Sequence, residues 1–182
     1  MTALVPFLPI FHAYNRSNDR ATLFQCPRHY RYFLSKLRIT MLETAHILGY
    51  CIMPNHFHIL FTPKHELCIP LRLDGKPLPC MPTREVGESF RRLLMGFSKG
   101  YNHELVLTGS RFRQRTRCKY HIGSLHHGLN YVHNNPVAAK LVDHPGEWSY
   151  SSYFEYTDFL TEDEKLCNTV LGKQLCDEVL HW

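Results

Sequence analysis

The most constraining feature of this sequence is residues 48–63, a nearly apolar stretch with His56 and His58 at its centre. Alternate side chains of a strand point to opposite faces, so both imidazoles are expected on one face and Phe57 on the other. The Pro-Asn pair before His56 is a turn signal and predicts one strand before it and another after it. Two same-face imidazoles can hold a divalent metal. The alternative is a histidine pair on the solvent face of an amphipathic strand.

Length and composition limit the fold and function classes that this chain can belong to. The 182 residues suit one domain with a real core, and no stretch approaches the roughly 18 apolar residues of a membrane span. The apolar start is short and lacks a basic leader, so no signal peptide is expected. The seven cysteines are scattered with no Cys-x-x-Cys spacing, which argues against a zinc site or disulfide framework and fits a reducing cytoplasm. The net charge of +5, with 13 histidines, favours a polyanionic partner.

Hydrophobic periodicity predicts the order of the main elements. Strands are expected over residues 8–16, 44–53 and 56–62. Helices are expected over residues 27–43, 121–135 and 163–182. Another helix is expected to begin after an N-cap at Thr83 and to end at Gly100. Five prolines make residues 63–82 a long loop. We expect a main domain over residues 1–160 and a C-terminal helical extension over residues 161–182.

A basic stretch follows the helix that is expected to end at Gly100. Every odd position from 111 to 119 is cationic, which in a strand would place five charges on one face: Arg111, Arg113, Arg115, Arg117 and Lys119. Charge on an edge strand also protects against aggregation, and lysines would serve that purpose. Four arginines with no acid among them instead favour phosphate binding and therefore a nucleic acid.

The predicted helix over residues 121–135 carries a tyrosine away from its core face. Leu125, Leu129 and Val132 define that face, and Tyr131 lies roughly opposite, with Asn135 one turn later. Such a tyrosine is free for chemistry, although surface tyrosines are common. Asn135 followed by proline also predicts a helix break, with Asn135 as N-cap of a short helix over residues 137–142. That capping role competes with a ligand role for Asn135.

Several of these motifs together resemble a known family. Met-Pro-Asn-His-Phe-His-Ile-Leu at residues 53–60 precedes Tyr-Val-His-Asn-Asn-Pro-Val-Ala-Ala-Lys-Leu-Val at 131–142 and Glu-Trp-Ser-Tyr-Ser-Ser at 147–152. In this order they resemble the REP-associated tyrosine transposases, which are single-tyrosine HUH transposases. Phe-His-Ala-Tyr-Asn-Arg at 11–16 and Gly-Ser-Arg-Phe-Arg-Gln-Arg at 109–115 also sit where the family has similar residues. The resemblance covers roughly residues 8–155.

The resemblance implies a fold and a set of residue roles. The fold is α+β, a ferredoxin-like βαββαβ domain with a central antiparallel sheet, helices on one face and a C-terminal helix. Tyr131 corresponds to the nucleophile, and His56, His58 and Asn135 to the ligands of Mg²⁺ or Mn²⁺. Arg16 joins the basic stretch as a DNA-binding residue.

The resemblance also implies an activity and its partners. The expected activity is cleavage and rejoining of single-stranded DNA beside REP-type hairpins through a 5′-phosphotyrosine. A cytoplasmic, nucleoid-associated protein, monomeric or homodimeric, would suit this activity.

Two departures and three alternatives accompany the resemblance. The family's usual Leu-Phe-Gln reads Arg-Phe-Arg at residues 111–113, and its common Pro-Val-Arg-Ala-Gly reads Pro-Val-Ala-Ala-Lys at 136–140. The main alternative function is a non-catalytic, domesticated hairpin-binding protein of the same fold. A replication or conjugation nickase of the HUH class and a metal-dependent hydrolase that uses water are the others.

Overall fold

The structure is a computed structural model that describes residues 8–64, 68–69, 72–73, 76–77, 81–121, 123–157 and 160–177. Its strands are β1 (Phe11–Arg16), β2 (Ala45–Met53), β3 (His56–Pro63), four two-residue strands β4 (Cys68–Ile69), β5 (Arg72–Leu73), β6 (Lys76–Pro77) and β7 (Met81–Pro82), and β8 (Arg117–Tyr120). Its helices are α1 (Pro27–Met41), α2 (Arg84–Leu105), α3 (Leu125–Ala138) and α4 (Thr169–Asp177).

A four-stranded antiparallel sheet in the order β2-β3-β1-β8 confirms the predicted α+β, ferredoxin-like class. One sheet face packs Phe57 and Ile59 against α1 and α2 in the larger core. The other face packs Leu48 and Leu60 against α3 and α4 in a second core. The expectation of helices on one face is therefore wrong, because both faces of β2 and β3 are largely buried and both are covered by helices.

Several element boundaries also differ from the predictions. β1 begins at residue 11 rather than 8, and α2 runs through Gly100 to Leu105. A Cβ at Gly100 would collide with the Tyr32 phenol, so this glycine permits close packing of α1 on α2 rather than ending the helix. The helix ends instead at Val106, which adopts a left-handed conformation. The predicted long loop holds two small antiparallel pairs, β4 with β7 and β5 with β6, and its remaining residues from 65 to 80 lie outside the described part.

The last helix also begins later than the predicted 163, at Thr169. The buried Glu155 carboxylate accepts hydrogen bonds from the Leu166 and Cys167 backbone N–H groups at 2.9 and 2.6 Å. These bonds hold the preceding residues in a loop against the core. Val170 is exposed in this helix, whereas Leu175 is buried. Residues 178–182 of the predicted helix lie outside the described part.

The basic stretch is not one continuous strand. Only residues 117–120 form β8, and Phe112 is instead drawn into the core beside Phe33 and Phe57. The Asn15 amide donates to the Arg113 carbonyl at 3.1 Å and to Thr116 Oγ1 at 3.2 Å, which holds the intervening chain in a bend. Burial of Phe112 outweighed the alternation of charge that predicted a continuous strand.

The predicted helix break before Pro136 is also wrong, because α3 runs continuously from residue 125 to 138. Proline cannot donate to the carbonyl four residues earlier, which here belongs to Val132. The Asn135 amide replaces that donor in part: its Nδ2 lies 2.8 Å from the Tyr131 carbonyl and 3.4 Å from the Val132 carbonyl. Asn135 is therefore inside the helix and is not an N-cap.

Helix α3 ends in a turn that strains one residue. Lys140 has φ +56°. Its N–H donates to the Val137 carbonyl, and the Leu141 N–H donates to the Pro136 carbonyl. This is the Schellman pattern, which favours glycine at the position of Lys140. We expect Lys140→Gly to raise the free energy of unfolding by about 1 kcal/mol, the cost of holding a side chain in the left-handed region. Chemical denaturation would measure it. Ala139→Gly, one residue earlier at φ −84°, is the matched control and should bring no gain. Equal effects at both positions would contradict this explanation.

Candidate active site

The pairing of β1 with its neighbours builds a polar patch on the α3 face of the sheet. His12, Tyr14 and Arg16 alternate with the buried Phe11 and Ala13. Residues paired across an antiparallel sheet share a face. Tyr14 lies opposite His58 and Arg16 opposite His56 on one side; on the other side, His12 lies opposite Lys119 and Tyr14 opposite Arg117.

Helix α3 lies close above this patch. A Cβ at Gly49 in β2 would come within 2.6 Å of Leu129 Cδ2, so the glycine allows the helix to approach the sheet. The buried His133 side chain contacts Ser152 Oγ at 2.8 Å, and Ser152 bonds the Tyr50 backbone in β2. This close packing and the His133 contact fix the rotation of α3 about its axis.

That rotation places Tyr131 over the histidines. Its ring centroid is 5.8 Å from that of His58 and 5.7 Å from that of His12, edge to face in both pairs. The side chain is nevertheless 58% exposed, as its position off the core face predicted. An exposed phenol beside the buried His58 and the half-buried His12 is accessible to a substrate in the cleft.

The cleft has a volume of about 530 Å³ and gathers nearly all the predicted site residues. Its lining includes His56, His58, Tyr131, Asn135, Arg16, Arg113, Arg115, Arg117 and Lys119, together with His12, Tyr14 and Asn15. Among the described residues, this lining contains arginine and lysine side chains but no aspartate or glutamate. Arg111 is the exception to the predicted set, because it lies outside the cleft with its guanidinium bonded to the Thr108 carbonyl.

The histidines of the cleft are neutral at pH 7. Burial, followed by the charges of His12, His56 and Arg16, lowers the pKa of His58 to about 3. Burial and the nearby Arg16 lower the pKa of His56 to about 4. For His12, burial, His121 and Lys119 lower the pKa to about 4. A neutral imidazole keeps the lone pair that binds a metal, so the cleft maintains the ligand form.

The donor set fits a divalent metal. In the described part of the chain, no three His, Cys, Asp or Glu side chains form a metal-binding group. The pair His56 and His58, with rings 5.1 Å apart, would need a third donor of another kind. Asn135 can supply it, because carbonyls only accept, so its bonded Nδ2 faces the helix backbone and leaves Oδ1 unengaged there. Imidazole and amide oxygen suit Mn²⁺, and oxygen ligands suit Mg²⁺.

Sequence reasoning missed three residues of the cleft. His12, Tyr14 and Asn15 belong to the first strand, where only Arg16 was singled out. The signal was the spacing of His12, Tyr14 and Arg16 at alternate positions, the same period that revealed His56 and His58. It was not decisive, because the strand's neighbours in the sheet were unknown.

The fold and cleft define a class: an α+β protein in which a helix-borne tyrosine stands over paired histidines on a sheet. No model of a known protein family matches the chain, and no curated protein matches it. A solved structure, "Structure of the REP associates tyrosine transposase bound to a REP hairpin", matches with a TM-score of 0.57 and 17% identity over 84% of this chain and 80% of that one. At that identity the likeness establishes a shared fold. It supports the resemblance to REP-associated tyrosine transposases at the level of the fold only.

None of the helices in the described residues combines the length and the apolar character needed to cross a bilayer.

Proposed function

We propose that this protein is a single-stranded DNA transesterase that cleaves and rejoins DNA beside REP-type hairpins through a 5′-phosphotyrosine. The observation that carries the proposal is the exposed Tyr131 phenol above His12 and His58 in a cationic cleft. The similar solved structure supports it, because that protein is a tyrosine transposase bound to a REP hairpin.

The reaction exchanges one phosphoester for another. Tyr131 Oη would attack the scissile phosphorus, the bond from phosphorus to the 3′ oxygen would break, and the phenol proton would end on that oxygen as a free 3′-OH. The tyrosine ester preserves the phosphodiester energy, so a second 3′-OH can attack it and rejoin the strands. A phenol held close to the phosphate also gains from the fixed geometry of the helix.

His56, His58 and Asn135 would hold the divalent metal, Mg²⁺ or Mn²⁺. Bound there, the metal would polarise the scissile phosphate and stabilise the charge that develops on it. All three residues line the same cleft as Tyr131, which supports this assignment.

The cationic rim would hold the DNA backbone. Arg16, Arg117 and Lys119 project from β1 and β8, while Arg113 and Arg115 reach the same cleft from the bend before β8. Arginine binds phosphate through several donors at once, and such contacts make affinity depend on salt. Unpaired DNA suits this cleft, since its backbone can bend to bring one phosphate to Tyr131.

We expect Arg115→Gln to weaken binding of single-stranded DNA and to flatten its salt dependence. Loss of one phosphate contact reduces the slope of log affinity against log salt by about 0.7. Fluorescence anisotropy over a salt series would measure both effects. Arg111→Gln is the matched control, because this arginine lies nearby in sequence but outside the cleft. Equal losses in the two variants would contradict the assignment of the cleft as the DNA path.

The test of the function is a denaturing gel. Wild-type protein is incubated with Mn²⁺ and labelled single-stranded hairpin oligonucleotides with varied flanks. Label that co-migrates with protein after denaturation would support the transesterase. Cleavage without an adduct would indicate a hydrolase, and binding without either, across the flanks, would indicate the domesticated binding protein.

Other aspects of the proposal concern the whole molecule. We propose a cytoplasmic, nucleoid-associated protein that acts as a monomer or homodimer. The division into residues 1–160 and 161–182 stays a prediction, although α4 packs Leu171 and Leu175 against the core beneath α3.

A further inference from the structure

The turn before the histidine pair makes a contact that the proposed reaction does not use. Asn55 lies between β2 and β3, and its side chain bridges two groups. Its Nδ2 donates to the Arg20 carbonyl at 3.2 Å, and its Oδ1 lies 2.6 Å from His56 Nδ1. The amide therefore connects the turn at residues 18–20 with the first histidine of the pair.

The chemistry of these groups determines where the His56 proton resides. A backbone carbonyl only accepts, so the amide group facing Arg20 must be the NH₂. The group facing His56 is then the amide oxygen, which also only accepts. His56 Nδ1 must carry the hydrogen, and the neutral ring keeps its lone pair on Nε2. In the described residues no side chain or backbone group hydrogen-bonds this Nε2, and His56 lines the cleft.

We propose that Asn55 is a positioning residue that holds His56 in the Nδ1–H tautomer, with the Nε2 lone pair available in the cleft. The proposal rests on the proposed function for the use of that lone pair, which is to bind the divalent metal. Partners of this kind orient metal-binding histidines in many proteins.

The second histidine, His58, has a partner that does not impose a tautomer, unlike the Asn55 partner of His56. His58 Nδ1 contacts His12 Nε2 at 2.9 Å, and either imidazole can donate in that pair. His12 therefore adapts to the tautomer of His58 and does not impose one. The amide oxygen of Asn55 cannot donate, so this contact imposes the tautomer of His56 whether or not a metal is bound.

The first measurement reads the tautomer directly in metal-free protein at pH 7. Long-range ¹H–¹⁵N correlation spectra distinguish the two neutral forms of each imidazole, and the signals missing from His56→Gln assign His56. We expect the Nδ1–H form in the wild type and a shift towards the Nε2–H form in Asn55→Ala. An Nε2–H ring in the wild type, or an unchanged ring in Asn55→Ala, would overturn the proposal.

A second variant separates the two hydrogen bonds of Asn55. Asn55→Asp loses the donor to Arg20 but keeps an oxygen acceptor for His56, so it should retain the Nδ1–H form. Asn18→Ala removes a comparable bond from the same polar turn, to the Ser110 carbonyl at 2.8 Å, and is the control for general disturbance. A tautomer shift in Asn18→Ala as large as that in Asn55→Ala would overturn the positioning role.

Titration with Mn²⁺ then tests the consequence. We expect Asn55→Ala to weaken Mn²⁺ binding by about 10- to 100-fold, the usual effect of removing a partner of a metal-binding histidine. Asn55→Asp should stay closer to the wild type. Unchanged affinity in Asn55→Ala would overturn the link between tautomer and metal. If the wild type shows the Nδ1–H ring and Asn55→Ala loses it, but neither binds Mn²⁺, the Asn55 role stands and the metal-dependent function fails.

Discussion

Tyr131→Phe is expected to abolish the covalent adduct with DNA while leaving DNA binding within about twofold of the wild type. The change removes only the phenol oxygen, and phenylalanine keeps the ring contacts with His12 and His58. Because the nucleophile is lost, adduct formation should fall by at least about 10³-fold. The measurement is labelled DNA retained on the protein band of a denaturing gel, with anisotropy for binding.

A second phenol in the same cleft provides the matched control. Tyr14 stacks on His58 with ring centroids 6.0 Å apart and is the other tyrosine of the cleft lining. Tyr14→Phe should still yield a detectable adduct, because the proposed nucleophile is Tyr131 on α3 and Tyr14 lies on β1. An adduct in Tyr131→Phe that disappears in Tyr14→Phe would transfer the role to Tyr14.

His58→Ala and His56→Ala are expected to abolish cleavage even in saturating Mn²⁺, with a loss of at least about 100-fold. Each variant removes one imidazole of the proposed metal site and leaves the cationic rim in place. DNA affinity at a given salt concentration should therefore change little. A time course of cleavage on a gel, beside anisotropy, separates these two quantities.

Stability needs its own control for these variants, because His58 is buried and bonded to His12. Loss of that bond leaves the His12 ring without its partner, at a cost of about 1–3 kcal/mol. Thermal unfolding would show whether enough folded protein remains at the assay temperature. His103→Ala, an exposed histidine on α2, controls for loss of an imidazole elsewhere. Full cleavage by either site variant would contradict the metal role of the pair.

The elements that were predicted well are those with a strong local period. The strands on both sides of the Pro-Asn turn and the first helix appear within a few residues of their predicted bounds. The exposure of Tyr131 followed from the spacing of Leu125, Leu129 and Val132 along one helix. A period of two or 3.6 residues is a local property, so a single sequence can reveal it.

The predictions failed where a distant partner overruled the local pattern. Alternating arginines favoured a long strand, but burial of Phe112 shortened it. Gly100 favoured a helix end, but Tyr32 required a residue without a side chain in mid-helix. Pro136 favoured a helix break, but the Asn135 amide compensated in part for the missing donor.

The sequence by itself determined which side chains share a face: His56 with His58, and Tyr131 away from the helix core. Only the tertiary structure decided that these two faces meet, that His12 and Tyr14 join them, and that Arg111 does not. The physical reason is that strand register and helix placement depend on contacts between residues dozens of positions apart. Those contacts are set by the packing of the whole core, which no local period encodes.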